Sequence, residues 1–155
     1  MSKPLVFWMG RALVVLPLDR RYAPNHMWAL AEPGGLRVGL SAYAVRLLGE
    51  IHRLGWSVQP GARMAAGDTL GYIEASKATS DLYSPVAGTV IEFNPAVLAK
   101  PSLVNSSLYD AGWLLRMTGD EAALLKPEEY LAHLHASWPL VQRLLKQQMQ
   151  PGASP

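Results

Sequence analysis

The chain contains no cysteine. That excludes disulfides, thiolate metal sites and cysteine nucleophiles, so any thiol chemistry has to come from something attached or bound. Charge is sparse as well: 17% of the 155 residues are charged, 14 basic against 12 acidic, for a net +2. Only Arg20-Arg21 sets two cations side by side. A nucleic-acid footprint needs basic residues clustered on one face with interleaved aromatics, and this pattern lacks it. No apolar run reaches the ~20 residues of a membrane span. The apolar N-terminus is interrupted by Arg11 and makes a poor signal peptide. Residues 1–13 therefore read as an N-terminal extension feeding a first strand, with no membrane partner and a cytoplasmic location expected.

Catalytic constellations are missing too. His133 and His135 lie two apart in a predicted helix and so point to different faces. His26 and His52 have no ligand at metal spacing. There is no Gly-x-Ser-x-Gly, no phosphate-binding loop and no dinucleotide fingerprint. Glu74 and Asp81 could be named a carboxylate pair, but no histidine or metal ligand accompanies them, and they read as turn and surface groups. The residues by themselves carry no enzyme site and no metal site.

What is present is a globular body. Half the residues are hydrophobic, enough for one domain with a sizeable core. The chain has 13 glycines and 12 prolines, and most of them cut the first three-quarters into short pieces. Residues 12–18 read as a short strand. Residues 25–31 and 36–40 alternate as strands around the turn Glu32-Pro33-Gly34-Gly35, a hairpin. Ser41 can cap a helix over 42–48 that Gly49 ends. Residues 51–58 are extended, and loops around a short strand follow to residue 69. Two strand-like runs, 70–75 and 82–93, flank a single lysine, Lys77. Residues 94–100 form a helical turn or loop, 101–112 a polar connection, and 112–117 a last strand. Beyond Thr118 the period becomes helical, with Leu131, Leu134, Trp138, Val141, Leu144 and Leu145 at steps of three and four. Pro127 suits the first turn, and Pro139 is expected to kink or restart the helix. The expected fold is mainly β with helical additions (α+β): a β-sandwich over 14–118, a helical segment over 119–150 packed on it, and a disordered tail at 151–155.

Lys77 stands between the small residues Ser76 and Ala78 at a turn. A lysine becomes a nucleophile when it is desolvated, and a hairpin tip among small polar neighbours is wet. Such a lysine is instead accessible to an enzyme that would modify it. The run "GYIEASKATSDLYSPVAGTVIEFN" closely resembles the lipoyl-lysine region of the glycine cleavage system H-protein family. Glu74 stands three residues before Lys77, Gly88 eleven after it and Gly61 sixteen before, as in that family. "RYAPNHMWAL", "LRVGLSAYAVRLLGEI" and "LVNSSLYDAGWLLRM" resemble further family segments, from about Leu16 to Tyr130. Biotin carriers of the same fold type resemble Met-Lys-Met at the modified turn, where this chain has Ser76-Lys77-Ala78.

The resemblance implies a lipoyl/biotinyl-type hammerhead sandwich (barrel-sandwich hybrid) that is a non-catalytic carrier, and a monomer is expected because no long exposed edge or heptad run demands a partner. Lipoate would be amide-linked to Lys77 by a lipoyl or octanoyl transferase or a lipoate ligase. Glu74, Gly88, Gly61 and Asp81 would be the supporting site residues. The implied partners are glycine decarboxylase, an aminomethyltransferase and dihydrolipoamide dehydrogenase, between which the arm shuttles an aminomethyl group and electrons. Two further readings stand beside it. H-like lipoate-binding proteins also serve heterodisulfide-reductase-like sulfur oxidation systems, and an H-like fold could serve as an unmodified interaction module. Intact Glu74, Lys77 and Gly88 argue against the last. Met27 stands where the family's His-Glu-Trp has its carboxylate, and Asn105-Ser106-Ser107 where it has Asn-Glu.

Overall fold

A computed structural model describes residues 3–149. The chain opens with strand β1 (Leu5–Met9) paired antiparallel to β2 (Ala12–Leu16) around a Gly10-Arg11 turn, a two-stranded sheet of its own. The extension boundary drawn at residue 13 thus falls inside β2. Gly10 takes a φ of 62°, the left-handed backbone that a tight turn needs and that glycine adopts without cost.

Alternation then builds a six-stranded sheet. Strand β3 (Arg21–Tyr22) pairs with β4 (Met27–Glu32), and β4 pairs with β5 (Gly35–Leu40) in the expected hairpin. The Pro33-Gly34 turn is two residues long, with Gly34 at φ 88°. Across the sheet the order is β3-β4-β5-β11-β10-β7, with β7 Arg63–Met64, β10 Gly88–Phe93 and β11 Leu115–Met117. The second large sheet has three strands, β6 (Ile51–Trp56), β8 (Thr69–Ala75) and β9 (Thr79–Tyr83), in the order β6-β8-β9. Leu36, Val38, Val90 and Met117 from the first sheet and Ile51, Leu54, Leu70, Ile73 and Leu82 from the second share one buried cluster. That is the expected sandwich.

Two expectations need correction here. The run 82–93 is not one strand. It breaks after Tyr83, and residues 84–87 carry the chain from the three-stranded sheet to the six-stranded one. Pro85 has no N–H to give to a ladder, and the buried Ser84 hydroxyl donates to the Val86 carbonyl at 2.7 Å, which fixes the crossing. The polar connection 101–112 is not featureless either. It contains α3 (Leu103–Ser106), after α2 (Pro95–Ala99), and it buries Val104. Buried Asn94 ties this segment down: its side-chain amide donates to the carbonyls of Ala111 and Trp113, and its oxygen caps α2 at the Ala96 N–H.

Helix α1 (Ala42–Leu48) is capped by Ser41, whose hydroxyl accepts from the Ala44 N–H, and ends at Gly49 with φ 88°. Beyond a 3₁₀ turn at Glu121–Ala123, α4 runs from Pro127 to Met149. The Glu129 carboxylate accepts from the Lys126 N–H at its start. The expected restart at Pro139 does not occur. A proline leaves the carbonyl four residues back, that of His135, without its helical donor, and His135 is exposed enough for water to replace it. The apolar stripe is also shorter in use than its period suggests. Tyr130 and Leu134 are buried and Trp138 packs on Phe7, whereas Leu140 and Leu144 are 55% and 50% exposed. The first half of α4 covers a second buried cluster of Phe7, Val14, Leu16, Tyr22, Trp28 and Tyr43, and the second half extends past it. The tail at 151–155 lies outside the described residues.

Arg20, half of the one adjacent basic pair, is buried in this region. Its guanidinium lies between the rings of Trp28 and Tyr109, at 4.7 and 5.1 Å, and donates to the Tyr109 carbonyl. Its role is structural.

Candidate functional site

Lys77 occupies the three-residue turn between β8 and β9, with Ser76, Lys77 and Ala78 all exposed. The turn is closed by Ala75 N–H donating to the Ala78 carbonyl at 3.0 Å. It is also docked from below. The Lys77 N–H donates to the Leu48 carbonyl and the Ser76 N–H to the Glu50 carbonyl, both at 2.9 Å. The Glu50 N–H in turn donates to the Ser76 hydroxyl at 2.9 Å. The backbone of the lysine is therefore tied to the link between α1 and β6.

That link is itself held. The Asn105 side chain from α3 accepts from the Ile51 N–H at 2.9 Å and donates to the Gly49 carbonyl at 3.0 Å. Gly49 has two reasons to lack a side chain. Its φ of 88° disfavours one, and a Cβ would collide with the Ser76 hydroxyl and come within 3.0 Å of Lys77 Cγ. Gly49, Ser76 and Asn105 were not singled out in the sequence as site residues. The glycine was legible only as a helix stop, and Asn105 only as part of the Leu-Val-Asn segment.

Of the residues expected around Lys77, Glu74 lies on β8 opposite Arg53 of β6 and accepts from its guanidinium at 3.0 Å. Asp81 lies on β9 and lines a cavity on one side of the hairpin. Glu74 and Asp81 face different surroundings and form no acid–base pair. Gly61 and Gly88 are brought to each other's neighbourhood, not to the lysine. Gly61 N–H donates to the Val90 carbonyl, and Gly88 pairs with Met64. A Cβ on Gly88 would run into the Thr118 carbonyl, so this glycine permits β10 to approach Thr118 closely. Neither glycine lines the groove that holds Lys77.

The hairpin separates two hollows of different character. One, about 300 Å³, is walled by Met27, Leu40, Ala44, Leu47, Leu48, Ile73 and Leu82, with Asn25, His26, Ser80 and Asp81 as its polar groups. His26 adopts φ 72°, a backbone that a non-glycine residue holds only when its surroundings enforce it. They do. Its Nδ1 lies 2.7 Å from the Tyr130 hydroxyl, which lies 2.8 Å from the Ser41 hydroxyl. Burial, and secondarily the neighbouring His133, push the His26 imidazole down to about 4, so it is neutral at pH 7. Burial likewise pushes the Tyr130 phenol well up, and it stays a neutral hydrogen-bonding group. The other hollow, a groove of about 770 Å³, contains Lys77 itself with Arg46, Glu50, Lys100, Ser102 and Asn105.

No group of three or more metal-ligating side chains occurs among the described residues, and no helix among them is long and apolar enough to cross a membrane. The site is thus an exposed amine on a docked turn, with the Glu50 carboxylate in the same groove. It can be acylated by another enzyme and then swing what it carries.

Comparison with known proteins agrees with this geometry. The family model for the glycine cleavage H-protein matches residues 20–137. The glycine cleavage system H protein of Alcanivorax borkumensis is 37% identical over 123 residues, covering 77% of this chain and 95% of the relative. That of Rubrobacter xylanophilus is 42% identical over 125 residues, covering 77% and 94%. The crystal structure of the glycine cleavage system H protein from Mycobacterium marinum superposes with a TM-score of 0.67 at 31% identity, over 77% of this chain and 99% of that one. The sheet sandwich, the docked lysine turn and these matches together place the chain in the glycine cleavage H-protein family, a family of non-catalytic lipoyl carriers with the hammerhead-like fold.

Proposed function

We propose that Lys77 is the attachment point of lipoate, and that the loaded chain shuttles an aminomethyl group and electrons between the enzymes of glycine cleavage. The observation that carries this reading is the docking of the Ser76-Lys77 backbone onto Leu48 and Glu50, which presents one free amine at a fixed place. The surroundings suit the group. No side chain at Gly49 crowds the lysine stem, and the described residues offer Lys77 no ion-pair partner. Hollows lie on both flanks of the hairpin.

When bound, lipoate supplies a disulfide that accepts a one-carbon unit and two electrons and gives both up again. The chain's own residues hold and present it. Gly49, Ser76 and Asn105 fix the stem. The Glu74–Arg53 pair gives the hairpin flank a shape that a transferase or ligase reads. Asp81 and Asn25 are among the polar groups, and Met27 and Leu47 part of the apolar wall, of the smaller hollow that the hairpin borders. Its neutral His26 adds no positive charge there. Partners in this reading are the loading enzyme, glycine decarboxylase, an aminomethyltransferase and dihydrolipoamide dehydrogenase.

The test is reconstitution of loaded chain with those three enzymes, glycine, folate cofactor and NAD⁺. Glycine-dependent NADH formation that disappears with Lys77→Arg supports the reading. A chain that loads on Lys77 but gives no glycine-dependent turnover rejects the partners, and leaves the sulfur-oxidation system as the next one to assay.

A further inference from the structure

The two hollows beside the lysine hairpin differ in charge. The smaller contains one ionised group, Asp81, since its histidine is neutral at pH 7. The groove around Lys77 contains three cations, Arg46 in the last turn of α1, Lys77, and Lys100 at the end of α2, against the single carboxylate Glu50. All four are exposed, and among the described residues none of them is in an ion pair. The groove's net +2 equals that of the entire chain. Elsewhere three strand arginines are matched, Arg53 by Glu74, Arg37 by Glu32, and Arg116 by both Glu32 and Glu92, whereas Arg21 on β3 and Arg63 on β7 make no ion pair among the described residues. An unmatched basic groove that encloses the lysine to be modified points outward, to a partner.

We infer that this groove is the docking surface for an acidic rim around the active-site mouth of the enzyme that acylates Lys77. The inference rests on Lys77 being the modified residue. It commits to the loading enzyme because the groove's charge depends on loading. Acylation forms a bond from Nζ to the acyl carbon and breaks that carbon's bond to the sulfur of a thioester or the phosphate oxygen of an acyl adenylate. The leaving thiolate or adenylate and two protons depart, and the ammonium becomes a neutral amide. The groove then falls from +2 to +1. The unloaded chain is thereby held more tightly than the loaded one, which favours release of product. Complementary charge of this kind acts mainly on association and is screened by salt.

The experiment measures loading of the full chain by its host's octanoyltransferase or lipoate ligase, as acyl increments against time. At about 50 mM salt the pair Arg46→Glu/Lys100→Glu is expected to lower kcat/KM at least tenfold, chiefly through KM, and at about 500 mM the gap should close to within a few-fold. The milder Arg46→Gln/Lys100→Gln should fall between, which guards against a fold defect in the reversal. Octanoylated chain should bind the enzyme several-fold more weakly than unloaded chain. The control pair Arg143→Glu/Lys146→Glu, exposed on α4, should load as the unsubstituted chain does. Equal losses in groove and control pairs, or a groove pair that loads normally at low salt, would overturn the inference while leaving Lys77 as the modified residue. No increment on the unsubstituted chain would instead overturn the reading on which it rests.

Discussion

Two β-hairpins of this molecule, β8–β9 and β1–β2, are held in opposite ways. The β8–β9 hairpin has its turn fixed by backbone hydrogen bonds: Lys77 to Leu48, Ser76 to Glu50, and Glu50 back to the Ser76 hydroxyl. The β1–β2 hairpin is held mainly by the packing of one face, with a single outside bond to its backbone among the described residues, the Tyr109 hydroxyl donating to the Val15 carbonyl at 2.9 Å. Phe7 packs edge-on against His135 and Trp138 and tilts against Tyr43, with ring centroids 5.0 to 6.4 Å apart. Its other face leaves Val6, Trp8, Leu13 and Val15 between 37% and 58% exposed. Backbone bonds specify a position to a few tenths of an ångström, whereas apolar packing specifies only which face is covered. The proposed attachment lysine lies on the hairpin whose backbone is specified. The packed hairpin and the end of α4 lie outside the span 20–137 that the family model matches.

The sharpest way to break this contrast is at Lys77. Lys77→Arg should abolish acyl loading completely while leaving the melting temperature within about 1 °C, since the side chain is exposed and surface changes are usually near neutral. Intact mass and a thermal melt check both parts.

The next largest effect is expected across the packed hairpin. Phe7→Ala removes a ring that is 2% exposed and should cost about 3–4 kcal/mol in urea unfolding. Trp8→Ser, one residue on but 58% exposed, should change stability by less than about 0.5 kcal/mol. Similar costs for the two would contradict the one-faced description.

The junction between the α4 packing and the lysine hairpin gives a pH effect. His26 is neutral in the folded chain down to about 4, below its unfolded value of 6.5. Its neighbours are Tyr43, Tyr130 and His133, and it shares the smaller hollow with Asp81. A depressed histidine costs nothing above pH 6.5, where both states are neutral. Between 6.5 and 4 the unfolded chain takes the proton and the folded chain does not, so stability is lost as pH falls, by about 2–3 kcal/mol. Urea midpoints from pH 7.5 to 4.5 should show this slope, and His26→Gln should flatten it.

At Gly49 a modest effect on stability is expected beside a larger one on loading. Gly49→Ala places a methyl group against the Ser76 hydroxyl at a φ of 88°. It should cost about 1–2 kcal/mol yet slow loading of Lys77 about tenfold, because a displaced turn misplaces the amine. Ser76→Ala in the same chain should recover part of the loading rate.

Much of the body was legible in the sequence. Alternation and the Pro33-Gly34 turn gave the β4–β5 hairpin, Ser41 and Gly49 bounded α1, and the turn at Lys77 followed from the small residues beside it. What escaped has a common cause. Alternation reports that a residue pair is half-buried, not which sheet buries it, so the run 82–93 read as one strand although it serves two sheets. The family resemblance implies Gly61 and Gly88 beside the lysine, and the β7–β10 pairing brings them to each other instead. Helical period showed a stripe on α4 but not that its packing partners end at Trp138. Asn105 bonds to residues over fifty positions away, at Gly49 and Ile51, and no local pattern encodes that.

The most direct test of the account is an intact mass of the chain from its own host, followed by peptide mapping across residues 72–90. A single lipoyl-amide increment confined to Lys77 is the predicted result. An unmodified Lys77, in cells whose other lipoyl proteins are fully loaded, would contradict the carrier reading.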